Sequence, residues 1–209
     1  FKVSPRVTLK YMPVDEIVLR ANGGRGLRYS TPLVDNIGVF STGKKFVGAY
    51  DKHILEDAWT VGGNITYYMP FGASSNTYLS FDYFRTQFAQ QMVVDYECPT
   101  EHPAIHFYAL NGKRSYTDNF QVDFSVDPVE RFNITATFRY TNARIELEGK
   151  GLVEKPMTSQ YKGVLNLQYA TNLNRWIFDF TASVNGPCRV YGFMRDMDGI
   201  KERNGRYYS

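Results

Sequence analysis

Glycine-rich and acidic segments are the first candidates for chemistry in this chain. Gly23-Gly24-Arg25-Gly26 and Gly149-Lys150-Gly151 resemble phosphate-binding loops, in which closely spaced backbone N–H groups hold an oxyanion. Neither has the G-x-G-x-x-G order and neither precedes an amphipathic helix, so we do not predict a nucleotide site. Asp196-Met197-Asp198-Gly199 resembles half of a calcium loop, but the other carboxylates and the closing Glu are missing. We interpret that segment as a solvated loop.

Histidine is the residue type that could bind a metal ion or haem here. The chain has His53, His102 and His106, and the last two share a strand face by parity. All three fall at the same expected end of the sheet, but three surface histidines need no ligand to explain them. No Ser/His/Asp or Cys/His set can be placed by spacing. We therefore predict no metal site, no cofactor and no enzymatic activity.

The composition favours strands and excludes two classes of protein. Aromatic residues make up 16% of the 209 residues, with 16 Tyr and 15 Phe, a mixture enriched in β-sheets. The net charge of +3 comes from scattered basic residues, whereas nucleic-acid binding requires a basic stripe or patch. The mean hydropathy is −0.38, and no uncharged apolar run approaches the roughly 20 residues of a spanning helix. A membrane barrel remains open, because its apolar band occupies only every second residue.

Alternation of apolar and polar residues is the strongest structural signal. Residues 131–140 read R-F-N-I-T-A-T-F-R-Y, and this period of two fits a strand whose faces meet different environments. The same rhythm recurs in six other segments, whose apolar faces are Val7, Leu9 and Tyr11; Trp59, Val61, Ile65 and Tyr67; Leu79, Phe81 and Tyr83; Phe120, Val122, Phe124 and Val126; Tyr161, Gly163, Leu165, Leu167 and Tyr169; and Trp176, Phe178, Phe180, Ala182 and Val184.

The apolar faces tend to begin or end on aromatic residues. A soluble sheet would also alternate, but membrane interfaces select two aromatic levels around an aliphatic middle. One such level can be drawn through Tyr11, Tyr67, Phe132, Tyr169 and Trp176, and the other through Trp59, Phe120, Tyr140 and Tyr161. We therefore expect a membrane barrel, with lipid around Phe124, Phe138, Leu167 and Phe180, and the lumen around Thr137, Asn166 and Asp179.

The connections between these strands alternate between short and long. Turn-forming residues mark short connections at 12–16, 70–76, 127–130 and 171–174. Long connections cover 27–55, 97–103, 148–157 and the chain from Gly186 onward. Outer-membrane barrels have short periplasmic turns and long extracellular loops, so we expect the short set to be periplasmic.

One segment conflicts with this alternation. Asn111-Gly112-Lys113 has the composition of a hairpin turn, yet a reversal there would place every later loop at the wrong end. We therefore predict one long strand over 104–126, with a bulge allowed at Gly112. The result is a wall of eight antiparallel strands.

Motifs near the start of the chain carry a family resemblance. The sequence has Ser4-Pro5-Arg6 followed by Leu9, Tyr11 and Pro13, then Leu19-Arg20-Ala21 and Gly24-Arg25-Gly26-Leu27-Arg28. TonB-dependent outer-membrane receptors often carry a strand beginning S-P-R and ending L-x-Y-x-P, then a strand reading L-R-A-x-x-G-R-G-x-R that enters a long loop. Segments 106–112 and 156–169 also resemble that family. The resemblance covers nearly the whole chain.

The resemblance implies an all-β fold. The chain would form about eight antiparallel strands in the wall of a transmembrane barrel that has about 22 strands in all. On this interpretation residues 1–209 are a partial C-terminal half of the barrel, with the plug domain and the final strand absent. The implied function is TonB-dependent uptake of a scarce nutrient, such as a ferric siderophore, haem or cobalamin, across a Gram-negative outer membrane. The implied partners are the lipid bilayer, the plug domain, TonB through a missing N-terminal segment, a cargo at the extracellular loops and a surface lipoprotein. Nucleic acid is not among them.

Parity along the strands selects the residues expected to face a ligand or the plug. It turns Arg20, Asn22, Arg28 and Arg139 toward the lumen, and it turns Arg25 outward near the headgroups. We predict that Arg20 and Arg28 make polar contacts inside the barrel and that Arg25 does not. The neighbouring glycines leave the wall thin, so another backbone, from the plug or a folded-in loop, could approach closely. The alternative is that these glycines only relax the strand as it enters a loop.

Acidic side chains on the same polar face admit a second interpretation. Asp123 and Asp179 would have to meet in a cleft to serve as the paired carboxylates of a hydrolase. They lie on separate strands, with Arg20, Arg139 and Lys162 elsewhere in the wall. Charge compensation inside the barrel is the simpler interpretation.

Two other classes of protein fit parts of the pattern. One is a complete eight-stranded outer-membrane barrel with a structural or adhesive role, although the polar row, rich in Thr, Ser and Asn, is sparse for a filled interior. The other is a soluble β-sandwich or lipocalin-like binding domain.

The two cysteines leave a question of pairing. Cys98 and Cys188 fall in predicted extracellular loops, an oxidising setting in which disulfides persist. They are four strands apart, roughly 20 Å at about 4.8 Å per strand. A bridge requires Cα atoms within about 7 Å, so it would need large loop excursions.

Overall fold

A computed structural model describes residues 2–72, 77–96, 104–194, 196–203 and 205–209. The described helices are short: α1 (Pro32–Asp35) and the 3₁₀ segments Ile37–Thr42, Asn172–Asn174 and Gly192–Met194. The strands, in chain order, are β1 (Arg6–Val14), β2 (Ile17–Tyr29), β3 (Lys45–Gly48), β4 (Leu55–Tyr68), β5 (Tyr78–Gln90), β6 (Met92–Asp95), β7 (Ala104–Ala109), β8 (Ser115–Val129), β9 (Phe132–Leu147), β10 (Gly151–Glu154), β11 (Tyr161–Ala170), β12 (Ile177–Asn185), β13 (Arg189–Val190), β14 (Lys201–Arg203) and β15 (Arg206–Tyr208).

The main sheet is an antiparallel meander. Its strand order is β1-β2-β4-β5-β8-β9-β11-β12, so each long strand pairs with the next long strand in the chain, and β10 pairs with the end of β9. Two small sheets, β3-β7-β6 and β13-β15-β14, are formed by the intervening segments. The prediction of an all-β, antiparallel fold is confirmed.

The connections alternate as the sequence predicts. At one end β1 and β2 are joined by Asp15 and Glu16, and β8 and β9 by Glu130 and Arg131, whose φ of 67° closes the turn. At the other end the chain inserts β3, then β6 and β7, then β10, and finally β13 to β15. We call these the short-turn end and the long-connection end. In the described residues, the strands outside the eight-stranded meander therefore all belong to the long-connection end.

The prediction of one long strand over 104–126 is wrong. The chain instead forms β7, turns at Asn111 and Gly112, and then forms β8. The two turn residues have φ angles of 47° and 79°, a left-handed backbone that Asn and Gly tolerate best. β7 pairs with β3 and β6, whereas β8 pairs with β5 and β9. Because the turn joins two sheets rather than two neighbours in the main sheet, the later connections keep their alternation.

The two buried apolar clusters lie at the long-connection end, where the end of β9 packs against the inserted segments. One cluster consists of Val39, Met92, Ile105 and Phe107, and a second of Val93, Leu110, Ile145, Leu147 and Val153. Burial of these apolar side chains stabilises the packing of the inserted segments at the long-connection end of the main sheet.

The register of the main sheet gives it one apolar and one polar face. Side chains directly opposite each other on neighbouring strands point to the same face. One continuous row consists of Leu9, Ala21, Gly63, Tyr83, Phe120, Tyr140 and Tyr161. The adjacent row on the other face consists of Lys10, Arg20, Asn64, Asp82, Gln121, Arg139 and Lys162. The register therefore gathers the alternating apolar and polar residues of the sequence on two opposite faces of the sheet.

The apolar face is exposed in the described structure. Phe138 is 46% exposed and Phe180 is 59% exposed, and most other large apolar side chains of the long strands are also accessible. Neither phenylalanine lies in an enclosed core between two sheets. Soluble monomers rarely leave a contiguous apolar patch of more than a few hundred Å² uncovered.

The short-turn ends of the strands are staggered along the sheet. One register row runs through Ile17, Tyr67, Leu79, Phe124, Ala136, Leu165 and Ala182. Ile17 begins β2, whereas Ala136 is the fifth residue of β9 and Ala182 is the sixth of β12. From each strand to the next, the position of the turn therefore shifts along the strand direction by about 0.8 residue. At about 3.3 Å per residue and about 4.8 Å between strands, this corresponds to a strand tilt of roughly 30°.

The helices are too short or too polar for one of them to cross a bilayer in the part of the chain that the structure describes.

The core at the long-connection end should depend on Phe107, which is completely buried and meets Phe46 edge-on at 6.0 Å between ring centres. We expect Phe107→Ala to destabilise the small sheet of β3, β6 and β7 by about 3–5 kcal/mol, because it leaves a cavity. Limited trypsin digestion should then cleave faster at Lys45 and Lys52. Val34→Ala, at an exposed position of the same insertion, is the matched control. Equal cleavage of the two variants would contradict the assigned core.

Candidate functional site on the polar face

The first part of the candidate site is a hydrogen-bonded network around Asn64. Arg20 donates from Nη1 to Asn64 Oδ1 at 3.1 Å, and Thr66 donates to the same oxygen at 2.9 Å. Asn64 Nδ2 donates to Ser80 Oγ at 2.6 Å and to Asp82 Oδ1 at 2.9 Å. The network exists because register places β2, β4 and β5 residues opposite each other on the polar face. Asn64 therefore connects a cation on one strand to a carboxylate two strands away.

A second network continues the first across the sheet. Arg139 Nε donates to Gln121 Oε1 at 2.7 Å, and Gln121 Nε2 donates to Asp123 Oδ2 at 2.7 Å. The other Asp123 oxygen accepts from Thr137 at 2.6 Å. Further along, Asp179 accepts from Asn166 at 2.9 Å. Asp123 and Asp179 are each held by neutral donors and lie three strands apart in the sheet, so the described structure does not bring them together as paired acids.

Two adjoining cavities lie along these networks. The larger, of about 710 Å³, is lined by residues that include Arg20, Asn22, Asn64 and Asp82. The other, of about 560 Å³, is lined by residues that include Asp82, Asp123 and Arg139. They share Asp82, Phe84 and Asp123. Together they form a polar trough that can accept hydrogen-bonding groups from another molecule or chain segment.

The structure brings three of the four predicted site residues together. Arg20, Asn22 and Arg139 line the polar trough. Arg28 is separate, because it lies eight residues further along β2 than Arg20, about 26 Å along a strand. It pairs instead with Glu56 at 2.7 Å and with Asp35 at 3.1 Å.

Arg25 makes its polar contact on the opposite face. Its Nε donates to Asp57 Oδ1 at 2.8 Å, and its guanidinium lies 5.8 Å from the ring centre of Trp59. Asp57 is only 5% exposed, and Lys2 approaches the same carboxylate at 3.7 Å. Since Arg25 and Trp59 are opposed in register, this pair belongs to the apolar side. Arg25 therefore lies on the face opposite to that of Arg20 and Arg28, and contacts of those two arginines inside a barrel remain a prediction.

The glycine segment of β2 is approached by the neighbouring strand. Residues 23–26 lie inside β2, so they form no phosphate loop. A Cβ at Gly24 would lie 3.2 Å from the Pro5 carbonyl oxygen, and the Arg25 N–H donates to that oxygen at 2.9 Å. In the described residues the close backbone is thus that of Pro5, immediately before β1.

A third cavity, of about 330 Å³, lies at the long-connection end. Arg28 and Glu56 from the main sheet contribute to it, with Tyr96 after β6 and Tyr191 after β13. The two tyrosine rings are 4.8 Å apart between centres. Sequence reasoning missed both tyrosines, because no local pattern indicates that residues 95 positions apart come together.

Electrostatics at this cavity follow from burial and hydrogen bonding. Burial raises the pKa of the Tyr96 phenol above its ordinary value, which keeps it neutral. The Asp35 carboxyl has a lowered pKa, mainly because it accepts the backbone N–H of Thr31 at 3.1 Å and also pairs with Arg28. Asp35 therefore remains charged and keeps Arg28 at the rim of the cavity.

The histidines occupy separate positions. The Nδ1 atom of His53 lies 2.8 Å from the Ser30 carbonyl oxygen, and the His106 ring lies 5.2 Å from that of Tyr108. His102 lies outside the described residues. Within the described ranges, no three His, Cys, Asp or Glu side chains form a group that could hold a metal ion.

The question of a disulfide stays open. Cys188 has its Sγ atom 3.0 Å from Ser209 Oγ, and it is a free thiol in the described structure. Cys98 lies outside the described residues, so its pairing remains a prediction for mass spectrometry of a non-reduced tryptic digest.

Asn64 provides a direct test of the polar network. We expect Asn64→Leu to lower the free energy of unfolding by about 1–3 kcal/mol, because Arg20 and Asp82 each lose a hydrogen-bond partner. The matched control is Gln168→Leu, an exposed position on the same face for which no side-chain hydrogen bond is found in the described part of the chain. Thermal unfolding followed by circular dichroism measures both. Equal midpoints would contradict the network.

Comparison with protein-family models, with curated proteins and with solved structures found no match for this chain. The functional conclusion therefore depends on the two faces of the sheet, its stagger and its polar trough.

Proposed function

We propose that this chain is part of the wall of a transmembrane β-barrel in a Gram-negative outer membrane. The observation that carries the proposal is the continuous exposed apolar face, backed by a continuous polar face. On the apolar side lipid would solvate side chains that water does not, and on the other side a wet lumen would solvate the polar rows. The roughly 30° stagger derived from the register supports the same arrangement, since barrel strands must tilt.

The height of the apolar face matches a bilayer. On β9 it runs from Phe132 to Tyr140, nine residues with no charged side chain on that face. A transmembrane strand needs about 9–11 residues. The face ends on aromatic rows at both sides, with Phe132, Tyr169 and Phe178 in register toward the short-turn end and Tyr83, Phe120, Tyr140 and Tyr161 in register toward the other. Aromatic side chains at both borders are typical of membrane interfaces.

The sheet edges favour a larger barrel over the two alternatives. In the described residues β1 and β12 each pair with a single neighbour and not with each other, so an eight-stranded closed barrel is not favoured. In lipid, the unpaired N–H and C=O groups at both edges would need further strands. A soluble sandwich would need a second sheet on the apolar face, and the described chain places none there. These points support a wall of about eight strands within a larger barrel, and the resemblance to TonB-dependent receptors implies about 22 strands in all.

The function we propose for such a barrel is TonB-dependent uptake of a scarce nutrient, such as a ferric siderophore, haem or cobalamin. The motifs at Ser4–Arg6 and Leu19–Arg28 support this family, and the polar trough offers a surface for a plug domain or cargo. The long-connection end would be extracellular and would meet the cargo and a surface lipoprotein. The plug domain and TonB would supply gating and energy. The barrel would perform no chemistry on the cargo and would need no cofactor.

Adjacent residues on opposite faces test the membrane assignment. We expect Phe138→Arg to cost roughly 2–4 kcal/mol near the bilayer midplane and Thr137→Arg to cost little. Assembly into the outer membrane, followed as the heat-modifiable band on gels, should fall for the first variant only. Equal assembly of both variants would sink the assignment of faces.

The polar contacts of Arg28 test the transport proposal. We expect Arg28→Ala to reduce uptake or to loosen plug seating roughly two- to fivefold, the range of an exposed ion pair, with barrel assembly unchanged. Uptake of radiolabelled ferric siderophores, haem and cobalamin, with and without a proton-motive force, measures the effect. Lys52→Ala, at an exposed position of the same connection, is the control. Wild-type uptake and unaltered antibiotic leakage in Arg28→Ala would leave Arg28 as a solvated residue at the strand end.

A further inference from the structure

A cationic cavity lies just beyond the apolar face, at the long-connection end. Its volume is about 670 Å³, and its charged lining residues are Arg144, Glu154, Lys201, Arg203 and Arg206. Four of these five side chains are positive. β9, β10 and the small sheet of β13, β14 and β15 contribute the lining.

The register places this cavity on the lipid-facing side of the proposed wall. Arg144 follows Tyr140 by four residues on β9, so alternation turns both side chains to the same face. Glu154 on β10 is directly opposite Arg144 and shares that face. The separation of Arg144 from Tyr140 is about 13 Å along the strand. The cavity therefore begins where the apolar side chains end.

The positive charge in this cavity is largely uncompensated. Arg144 lies 3.6 Å from Glu154, and the same carboxylate accepts a hydrogen bond from the Tyr208 hydroxyl at 3.0 Å. Glu154 is therefore already engaged. For Lys201, Arg203 and Arg206, the described part of the chain contains no ion pair.

Other arginines along the same border differ in this respect. Arg25 belongs to the register row of Trp59, Tyr116 and Arg144, and its charge is met by Asp57 at 2.8 Å. Arg85 lies 4.5 Å from the ring centre of Tyr116, and it pairs with Asp118 at 3.1 Å. The excess charge is thus concentrated in the cavity beside β14 and β15.

We infer that this cavity binds the phosphorylated headgroup of a lipid in the leaflet on the long-connection side. The inference rests on the membrane assignment proposed above. Clustered Lys and Arg side chains at the membrane border attract anionic headgroups, and Arg binds phosphate through paired N–H donors. A soluble anion taken up as cargo would approach from the polar face, whereas this cavity adjoins the apolar one.

The test uses the detergent-purified protein and native mass spectrometry. The probes are lipid A, a diphosphorylated glycolipid, and its dephosphorylated form. We expect lipid A to be retained by the unaltered protein and the dephosphorylated lipid to be lost. R203E/R206E should weaken lipid A binding at least about tenfold, since two attractive charges become repulsive. K45E/K52E makes the same change of charge at two exposed positions away from the cavity and should bind as the unaltered protein does.

Each contrary result overturns a defined part of the inference. Equal retention of the two lipids, or equal binding by the two double variants, would exclude recognition of the phosphates at this cavity. Displacement of lipid A by millimolar inorganic phosphate would mean that the cavity takes a soluble anion instead. A protein that stays soluble without detergent and is not heat-modifiable would fail the membrane proposal itself, which separates that outcome from failure of the lipid site.

Discussion

The register of the backbone hydrogen bonds in the main sheet is the constraint on which the rest of the structure depends. Because side chains alternate with a period of two, a slip of one residue on any strand would move its aromatic side chains to the polar face and its amides to the apolar face. The rows through Tyr140 and through Arg139 stay in register across seven strands. The polar trough, the exposed apolar face and the stagger of the turns all follow from this pairing.

The sheet also decides where the remaining structure can lie. Tight connections such as Asp15–Glu16 leave no chain to cover the faces at the short-turn end. The inserted segments at the other end bury their own side chains, with Phe107 and Leu110 completely enclosed. The buried apolar clusters therefore lie among the connections and the end of β9, and the apolar face of the long strands stays exposed. We expect this division in the proposed barrel wall, which would have lipid on its apolar side and water on its polar side.

Much of this organisation can be predicted from local pattern, and the failures have physical causes. Period two in segments such as 131–140 indicates the strand and its two faces, because alternation is a local property. The error over 104–126 arose because Asn111-Gly112 has strong turn chemistry but joins two different sheets, and sheet membership depends on distant partners. The contact between Tyr96 and Tyr191 could not be predicted for the same reason. Parity places Arg20 and Arg139 on one polar face, in the same register row, whereas distance along β2 separates Arg28 from them.

The measurement that tests the central claim most directly is site-directed spin labelling through residues 132–140, one position at a time. The protein would be reconstituted in lipid vesicles, with Cys98 and Cys188 replaced by Ser so that each label is unique. Collision rates with oxygen, which concentrates in lipid, and with a water-soluble nickel chelate would be compared at each position. The account predicts a period of two, with even positions more accessible to oxygen and odd positions more accessible to the chelate. Uniform access to the chelate at all nine positions, or maxima at the odd positions for oxygen, would contradict a lipid-facing apolar row.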